Sequence, residues 1–317
     1  MEIIVGIDNI QRSLTNPVLT IGNFDGVHRG HQALFRKVTE WARRINGESV
    51  VMTFNPHPAN VLFPGKGPVF ITPHERRLEL IGDCGIDVTI VVPFSTEFAM
   101  ISAHDFVKDL LVQTIGAKAI VVGYDYRFGY GREGNIDLLK RLGKEYGFEV
   151  ETVSGIQLGG TMVSSTAIRE FIRDGELQEA CKLLGRPYEI TGSVVKGRER
   201  GGRLLGFPTA NISIASCCQA APKLGVYAVE VEVAGKKYGG AANLGYNPTF
   251  GDTELSLEAH IFDFNENLYG KTITVRFLDR LRDEKKFSGP EELIVQIRKD
   301  VQRAKEILAE RSSSGSP

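Results

Sequence analysis

The hydrophobic periodicity of the chain changes near its middle, and this change constrains the fold more than any other feature. In the first half, apolar runs rich in β-branched residues alternate with segments of helical periodicity. The strand-like runs are 18–21, 50–54, 88–92, 119–122 and 148–153, and the helical segments are 32–45, 75–81, 103–112, 136–146 and 165–184. Strict alternation of this kind predicts βαβ units in a parallel, doubly wound sheet.

The second half contains closely spaced strand-like segments separated by Gly, Asn and Pro turns. These segments are 190–195, 226–233, 241–244, 257–262 and 272–277, and one helical segment, 290–308, follows them. The pattern predicts an antiparallel barrel with a C-terminal helix. The sequence Gly185-Arg186-Pro187 cannot continue a helix. We therefore expect an α/β domain over 1–185, a β domain over 186–311 and a disordered tail over 312–317.

Composition excludes several classes of protein. The 38 Lys and Arg residues against 39 Asp and Glu residues give a net charge of -1, so no overall field attracts nucleic acid or an anionic membrane. No apolar run approaches the roughly 20 residues of a membrane span. The acidic N-terminus is unlike a signal peptide, and the 4 cysteines are too few for a disulfide framework. We expect a cytoplasmic protein with no nucleic-acid or membrane partner.

The most informative motif spans residues 22–31, between the first predicted strand and its helix. A glycine-bearing turn there directs backbone N–H groups and a helix N-terminus toward an anion. His28 and His31 frame Gly30 at positions i and i+3, so both imidazoles can stabilise charge on a phosphate chain under attack. Two unrelated surface histidines, or a metal pair, are the alternatives. The candidate nucleotide-binding residues of the turn are Gly22, Asn23, Phe24, Asp25, Gly26 and Gly30. The motif is similar to that of HxGH-type nucleotidyltransferases.

Three further segments at predicted strand or helix ends carry polar side chains. Asn55 lies in the Pro-rich segment 53–58, and Asp125 lies in a glycine loop that follows a strand. A helix start supplies hydroxyl and guanidinium groups from Ser164, Ser165, Thr166 and Arg169. A plain turn and ordinary N-caps are the alternatives for these segments. The G-x-G-x-x-G pattern at 129–134 is separated from its strand, which disfavours a dinucleotide fingerprint.

A second cluster of glycines and cations lies at 191–206, with five glycines and four cations in sixteen residues. Flexible backbone with Lys and Arg is suited to holding phosphates, although a solvated hairpin has the same composition. After Pro208, Thr209 and Asn211 share one side of an extended segment, where they would ligate a Mg²⁺ that bridges ATP phosphates. Glu258 lies inside a strand-forming run, so it is a candidate general base for a hydroxyl that attacks a γ-phosphate. A solvent-facing glutamate is the alternative.

These motifs, in this order, resemble the prokaryotic bifunctional riboflavin kinase/FMN adenylyltransferase family, also called FAD synthetases, over essentially the whole chain. The N-terminal likeness rests on GNFDGVHRGH, TFNPHP, VVGYDYRFG and SSTAIR, and the C-terminal likeness on RLLGFPTAN, GVYAVEV, NLGYNPTF and EAHI. The resemblance implies a Rossmann-like HxGH nucleotidyltransferase domain. A six-stranded antiparallel flavokinase β-barrel with a C-terminal helix would follow it.

The resemblance also implies roles for single residues. His28 and His31 would act in adenylyl transfer, Asp125 would face FMN, and Ser164, Ser165, Thr166 and Arg169 would bind ATP phosphates. In the kinase domain, the ATP-binding residues would be Gly192, Gly197, Arg203 and Pro208, the Mg²⁺ ligands Thr209 and Asn211, the base Glu258 and the flavin-binding residue Arg282. Arg203 stands where some relatives carry Lys, so altered geometry rather than lost function is expected.

The implied function is phosphorylation of riboflavin to FMN by ATP, followed by adenylylation of FMN to FAD with release of pyrophosphate. The substrates and products would be riboflavin, FMN, FAD and ATP with Mg²⁺, handled by a monomer or a weak homo-oligomer. One alternative is a catalytically inactive flavin- or nucleotide-binding sensor on the same fold. Another is a cytidylyl- or pantetheine-type transferase fused to an unrelated barrel.

Overall fold

The computed structural model describes residues 1–196, 207–214, 219–246 and 255–314 of the chain. The chain divides into two compact units, residues 1–165 and 166–317. Within the described ranges, no helix combines the length and the apolar character needed to cross a membrane.

The first unit is built on a six-stranded sheet in which every pairing is parallel. Its strands are β1 (Glu2–Val5), β2 (Val18–Ile21), β3 (Ser49–Phe54), β4 (Val88–Val92), β5 (Ala119–Gly123) and β6 (Glu149–Val153). They lie in the order β1-β4-β3-β2-β5-β6. The direction of winding reverses between β2 and β5, and such switch points form ligand crevices at the carboxyl ends of the strands. The predicted doubly wound parallel sheet is confirmed.

Helices cover both faces of this sheet. They are α1 (Arg29–Arg44), α2 (Pro58–Leu62), α3 (His74–Asp83), α4 (Thr96–Ala99), α5 (Ala103–Asp105), which continues as a π-helix over Phe106–Thr114, and α6 (Ile136–Tyr146). Successive strand residues serve opposite faces: in β2, Val18 packs in the core beneath α1 and α3, whereas Leu19 packs in the core beneath α6. This division explains why the strands are continuous apolar runs rather than alternating ones.

Strand β1 was not predicted from the sequence. It lies at the edge of the sheet, and of its four residues only Ile4 is buried, while Ile3 is 48% and Val5 57% exposed. Since one buried residue gives no periodic signal, the strand is visible only through its parallel pairing with β4.

The predicted helix over 165–184 is two helices, α7 (Ser165–Asp174) and α8 (Leu177–Leu184). Gly175 separates them with a φ of 82°. The N–H of Gly175 donates to the Ile172 carbonyl, and that of Glu176 donates to the Phe171 carbonyl. This is the glycine-dependent helix ending known as the Schellman motif. A short hairpin of β7 (Gln157–Leu158) and β8 (Thr161–Met162) precedes α7.

The second unit contains a closed barrel of six strands, all paired antiparallel, as predicted. The strands are β9 (Tyr188–Val195), β10 (Ala210–Ser213), β11 (Gly225–Val233), β12 (Lys236–Tyr246), β13 (Leu255–Ile261) and β14 (Thr272–Arg282), in the order β10-β13-β12-β11-β14-β9. The sequence marked five of them as strands and β10 only as an extended segment, because β10 is short and carries polar residues. Tyr188, Tyr227 and Phe277 fill the interior.

The C-terminal helix α9 (Pro290–Ser314) packs on the barrel. Its Ala304 and Ile307 are buried against Ala228, Ala241 and Phe262. The helix continues three residues into the segment expected to be a disordered tail, and residues 315–317 lie outside the described ranges.

Candidate active sites in the two units

The turn that follows β2 has an unusual backbone. Gly26 has a φ of 85°, but Phe24 at 51° and Val27 at 40° also adopt positive φ. Such values are unfavourable for residues with side chains, above all for a β-branched valine. Val27 is 1% exposed, so the packing of the turn holds it in this conformation. Strain maintained in this way is typical of functional loops.

The turn places His28 at the N-cap of α1. Its Nδ1 accepts a hydrogen bond from the backbone N–H of His31 at 3.3 Å. Because that nitrogen is an acceptor, a neutral His28 carries its proton on Nε2. The rings of His28 and His31 stack, with centroids 3.5 Å apart and planes at 18°. The two imidazoles therefore lie side by side at the start of the helix.

The pKa of His31 is strongly shifted by its surroundings. Burial in the first place, followed by the interactions with His28 and Arg77, lowers the pKa of His31 well below its ordinary value of 6.5. Its Nδ1 is buried and has no hydrogen-bond partner among the described residues. Neutral imidazoles at a helix N-terminus act as hydrogen-bond donors to an anion while adding no net charge.

Gly30 lies close to the ring of His28. A Cβ at position 30 would lie 3.1 Å from two atoms of that ring, although the backbone there has an ordinary φ. Gly22 is constrained in a similar way, since a Cβ would lie 2.9 Å from the Phe24 ring. Phe24 in turn contacts His31 edge-on, with ring centroids 5.2 Å apart. Gly30 thus leaves room for the ring of His28, and Gly22 leaves room for Phe24, which contacts His31.

Asp25 is 2% exposed, and its carboxylate accepts hydrogen bonds from the N–H groups of Ile71 and Thr72 at 3.0–3.1 Å. Its carbonyl accepts a hydrogen bond from the Ser165 hydroxyl at 2.9 Å. Asp25 thus ties the histidine turn to the segment before α3 and to the start of α7.

The other predicted residues of the first unit lie at ends of strands and helices. Asn55 follows β3 and is exposed, and Asp125 follows β5 and is also exposed. Asn23 is half-buried, with its Oδ1 buried and unpartnered within the described part of the chain. Since the ends of β2, β3 and β5 share one edge of a parallel sheet, these side chains belong to the same rim. Ser164 lies just before α7, and Thr166 and Arg169 lie in its first turns.

Two of the three glycines in the G-x-G-x-x-G pattern are closely packed, and the third, Gly131, has a positive φ of 58° with open space around it. A Cβ at Gly129 would lie 2.5 Å from Cα of Ala103, and one at Gly134 would lie 2.8 Å from the Phe128 ring. Residues 130–132 form a 3₁₀ turn, and Phe128 bridges Gly134. The pattern therefore does not form a strand–turn–helix phosphate loop.

In the barrel, the strand register aligns the candidate residues of the kinase domain. Asn211 on β10 pairs with Glu258 on β13, which pairs with Asn243 on β12. Asn243 pairs with Val226 on β11, which pairs with Arg282 on β14. Five strands thus contribute one residue each to a continuous row, which we call the polar row (Asn211, Glu258, Asn243, Val226 and Arg282). Side chains of directly paired residues lie on the same face of a sheet.

Four members of the polar row, all except Asn211, line a cavity of about 420 Å³. Further lining residues include Phe207, Thr209, His260, Glu284, Phe287 and Asp300. Burial raises the pKa of Glu258 above its ordinary value of 4.5. A raised pKa makes a carboxylate a stronger base, which suits removal of a proton from a hydroxyl.

Arg282 is the last residue of β14, rather than a residue beyond the final strand. Its Nε and Nη2 donate to the Asp300 carboxylate at 2.8–3.1 Å. Asp300 lies on α9, is 7% exposed and also accepts from Gln296 at 2.9 Å. The guanidinium also lies over the Phe287 ring, 5.7 Å from its centroid. These contacts hold Arg282 at the cavity wall.

His260 anchors the segment that carries Thr209. Its Nδ1 lies 2.8 Å from the Pro208 carbonyl, and its ring meets the Phe207 ring edge-on at 5.4 Å. Thr209 is exposed and Asn211 is half-buried. Gly192 lies in β9, where any Cβ would collide with the Ser213 carbonyl, so its lack of a side chain allows β10 to approach. The other predicted loop residues, Gly197 and Arg203, lie outside the described residues.

The sequence did not single out Asn243, Asp300 or His260 as site residues. Asn243 is the first residue of the quoted motif NLGYNPTF, but only its pairing with Glu258 connects it with the site. Asp300 follows Gln296 by one helical turn, which looks like a solvated helix face. Only the barrel register and the docking of α9 bring them to the cavity.

Comparison with known proteins agrees with both halves of the structure. A family model described as FAD synthetase matches residues 10–167, and one described as riboflavin kinase matches residues 184–308. The chain is 42% identical over 310 residues to the bifunctional riboflavin kinase/FMN adenylyltransferase of Escherichia coli K12, covering 97% of this chain and 98% of the relative. It is 40% identical over 297 residues to the protein of the same name from Listeria monocytogenes, covering 93% of each.

A crystal structure described as a macrolide-efflux protein from Streptococcus pneumoniae is also similar. Its TM-score is 0.86 at 36% identity, covering 95% of this chain and 97% of that chain. The two family models match consecutive parts of the chain, and together they define its class: a protein with two transferase units. Because the models and the relatives span nearly its whole length, the chain belongs to the bifunctional riboflavin kinase/FMN adenylyltransferase family.

Proposed function

We propose that the barrel phosphorylates riboflavin to FMN and that the parallel-sheet unit then joins FMN to AMP from a second ATP, releasing pyrophosphate. The observation that carries this proposal is the polar row, because it sets the half-buried carboxylate of Glu258 between two amides, at the wall of a cavity. A sensor would have no need of a base with a raised pKa. The family membership and the names of the relatives support both activities.

In the kinase reaction, we propose that Glu258 accepts the proton of the riboflavin 5′-hydroxyl as its oxygen attacks the γ-phosphorus of ATP. Burial raises the pKa of Glu258, and this strengthens the carboxylate as a base. Asn243, paired directly with Glu258, would orient the hydroxyl or the carboxylate. Arg282, fixed by Asp300, would contact the flavin at the other end of the row.

We propose Thr209 and Asn211 as the protein ligands of Mg²⁺. A hydroxyl and an amide oxygen are hard oxygen donors, and ATP phosphates commonly supply the remaining ligands of this ion. The pairing of Asn211 with Glu258 supports this assignment, because it brings one of the two donors next to the proposed base. When bound, Mg²⁺ would neutralise charge on the transferred phosphate.

In adenylyl transfer, we propose that the helix N-terminus and the imidazoles of His28 and His31 bind the phosphate chain of ATP. Pentacoordinate phosphorus gathers negative charge as the FMN phosphate attacks, and donors fixed in advance stabilise this charge. His28 is fixed by its N-cap hydrogen bond. Asn55 and Asp125 would face the flavin nucleotide at the same rim, and Ser164 and Ser165 the phosphates. Roles for Thr166 and Arg169 remain predictions from the sequence.

We further propose a functional boundary near residue 185, just inside the region matched by the riboflavin kinase model. Neither of the described cysteines, Cys84 and Cys181, forms a disulfide, which supports a reducing cytoplasm as the location. Sedimentation of the purified chain would decide between the expected monomer and a weak homo-oligomer.

Labelled ATP tests the proposed function directly. The chain is incubated with riboflavin, Mg²⁺ and ATP labelled in the γ- or the α-phosphate, and the flavins are then separated. We expect γ-label in FMN and in FAD, and α-label in FAD only. Absence of label from every flavin would contradict both activities and favour the sensor. FMN without FAD would contradict the adenylyltransferase alone.

A further inference from the structure

The sheet of the first unit ends at a carbonyl of β3 that β2 does not pair. Alternate residues of a strand direct their backbone groups to the same neighbouring strand. The N–H of Gly22, the residue after β2, donates to the carbonyl of Met52 on β3 at 3.1 Å. The carbonyl of Phe54, two residues later, points to the same side, but the chain after Gly22 has left the sheet to form the histidine turn. This carbonyl needs a donor from elsewhere in the chain.

Arg77 on α3 supplies that donor. Its Nη2 donates to the Phe54 carbonyl at 3.2 Å and lies 2.9 Å from Nδ1 of His74, one helical turn earlier. Because arginine has no acceptor, His74 accepts at Nδ1 and fixes the guanidinium from its own helix. The N–H of the same peptide group, on Asn55, donates to the Val92 carbonyl of β4 at 3.0 Å. Arg77 therefore holds the side of this peptide group that faces away from β4.

The segment that carries this arginine is also tied to the histidine turn. The N–H groups of Ile71 and Thr72 donate to the Asp25 carboxylate at 3.0–3.1 Å. We call residues 71–77 the brace, because they contact the histidine turn at one end and the last residue of β3 at the other. The brace thus connects two parts of the rim that the chain sequence separates by about one βα unit.

Arg77 is poorly suited to a purely structural role. It is 3% exposed, and its Nε is buried without a hydrogen-bond partner among the described residues. Apolar residues of similar volume often stabilise a fold as well as a buried ion does, or better. A buried cation with an unsatisfied N–H therefore favours a role in the site next to it.

We propose that Arg77 is a positioning residue for adenylyl transfer, which acts through the carbonyl of Phe54 to hold Asn55 in place relative to the histidine turn. Asn55 directly follows Phe54, and its side chain is the one proposed to face the flavin nucleotide, whereas the turn is proposed to bind ATP. Loss of Arg77 leaves the hydrogen bonds between Asp25 and the brace intact. The inference rests on the proposed adenylyltransferase, and it assigns Arg77 to the binding of FMN rather than of ATP.

The test measures the kinetics of FAD formation from added FMN by the full chain. Arg77→Met removes the charge and the donors while it fills a similar volume, and Arg77→Lys keeps a cationic donor for the Phe54 carbonyl. Arg141→Met, at an exposed position on α6, is the control for loss of one positive charge. The KM for FMN, the KM for ATP and kcat are measured separately for each variant.

We expect Arg77→Met to raise the KM for FMN about tenfold, while the KM for ATP and kcat stay within about twofold of the parent values. Arg77→Lys should restore most of the loss, and Arg141→Met should match the parent chain. An unchanged KM for FMN in Arg77→Met, or an equal rise for FMN and ATP, would overturn the inference and leave Arg77 a structural residue. If Arg77→Met does not fold, Arg77→Gln replaces it under the same criteria.

A second comparison tests the route through Asn55. Asn55→Ala should itself raise the KM for FMN, and Arg77→Met should add little to this rise in the double variant, because both changes remove the same contact with FMN. If Asn55→Ala has no effect, or if the two effects multiply, Arg77 does not act through Asn55 and the inference is overturned. A parent chain that makes no FAD would instead refute the proposed function.

Discussion

The two candidate active sites are built in opposite ways. In the parallel-sheet unit, the two proposed catalytic histidines come from one continuous turn, which contains residues with positive φ, and their rings stack. In the barrel, no two members of the polar row come from the same strand, and only register brings them together. One site depends on local conformation and the other on the whole sheet, so their sensitivities to mutation should differ.

The largest effect should come from substitution of Glu258, the proposed general base of the barrel site. Glu258→Gln removes the proton acceptor, and loss of a general base typically costs 10²–10⁴-fold in rate. We expect FMN formation from riboflavin to fall by about that factor, while FAD formation from added FMN stays unchanged. Chromatography of the flavins measures both. Glu266→Gln, an exposed carboxylate that pairs with Lys271, is the matched control. If Glu258→Gln forms FMN at the rate of the parent chain, the base has been assigned to the wrong residue.

The same residue gives the barrel site a distinct pH dependence. Since burial raises the pKa of Glu258 above 4.5, the base becomes protonated as the pH falls through this raised value. As the pH falls, FMN formation should therefore lose activity at a higher pH than it would if the base were an exposed carboxylate. His31, with its lowered pKa, should leave FAD formation less sensitive over that range. If FAD formation instead loses activity at a higher pH than FMN formation, this difference between the two sites is contradicted.

The next effect concerns the histidine turn. In His28→Ala/His31→Ala both proposed donors to the phosphate chain are absent, and we expect FAD formation to fall by about 10²-fold or more. FMN formation should persist, because the double variant leaves the barrel untouched. His104→Gln, an exposed histidine, serves as the control. Normal FAD formation by the double variant would show that the site lies elsewhere.

A smaller effect should show whether Asn243 acts through its pairing with Glu258 or only fills space in the barrel. Asn243 pairs with Glu258 across the strands, and Asn243→Ala removes the amide proposed to orient the hydroxyl or the carboxylate. We expect FMN formation to fall about tenfold, the size of effect typical for one hydrogen bond to a charged group. Asn243→Asp would instead set a second carboxylate beside Glu258, raise its pKa and shift the acid limb upward. Asn265→Ala, at an exposed position, is the control. An unchanged rate in Asn243→Ala would remove Asn243 from the mechanism.

The smallest effect concerns the backbone of the histidine turn. A Cβ at position 30 meets the His28 ring at 3.1 Å, so Gly30→Ala must displace that ring by a few tenths of an ångström. We expect a several-fold loss of FAD formation with little loss of stability, measured by flavin assay and thermal unfolding. At Gly289 a Cβ meets nothing within 4 Å, so Gly289→Ala is the matched control. Equal effects of the two substitutions would show that the ring of His28 tolerates displacement.

The difference between a site built on one turn and a site built on strand register also explains which features could be predicted from the sequence. The histidine turn was visible because its residues are contiguous, and the core strands were visible because each is an unbroken apolar run. The edge strand β1 and the short strand β10 lack that signal. Register is a property of paired strands, so the motif NLGYNPTF, which begins at Asn243, could not by itself assign Asn243 to the site.

Tertiary packing hid the remaining residues. Asp300 looks like a surface acid on an amphipathic helix until α9 docks against the barrel. Arg77 follows Glu75 and Arg76 in a segment that reads as a charged helix face, and its burial depends on contact with the end of β3. Spacing within one element cannot reveal which charged residue faces inward when neighbouring residues are also charged.

A complementation assay tests the central claim that one chain carries two separate ATP-using sites. Glu258→Gln and His28→Ala/His31→Ala are each supplied with riboflavin and Mg·ATP, alone and mixed in equal amounts. Neither variant alone should produce FAD, whereas the mixture should accumulate FMN and then, after a lag, FAD. If the mixture makes no FAD while each variant retains its own half-reaction, the claim of two separable sites is contradicted.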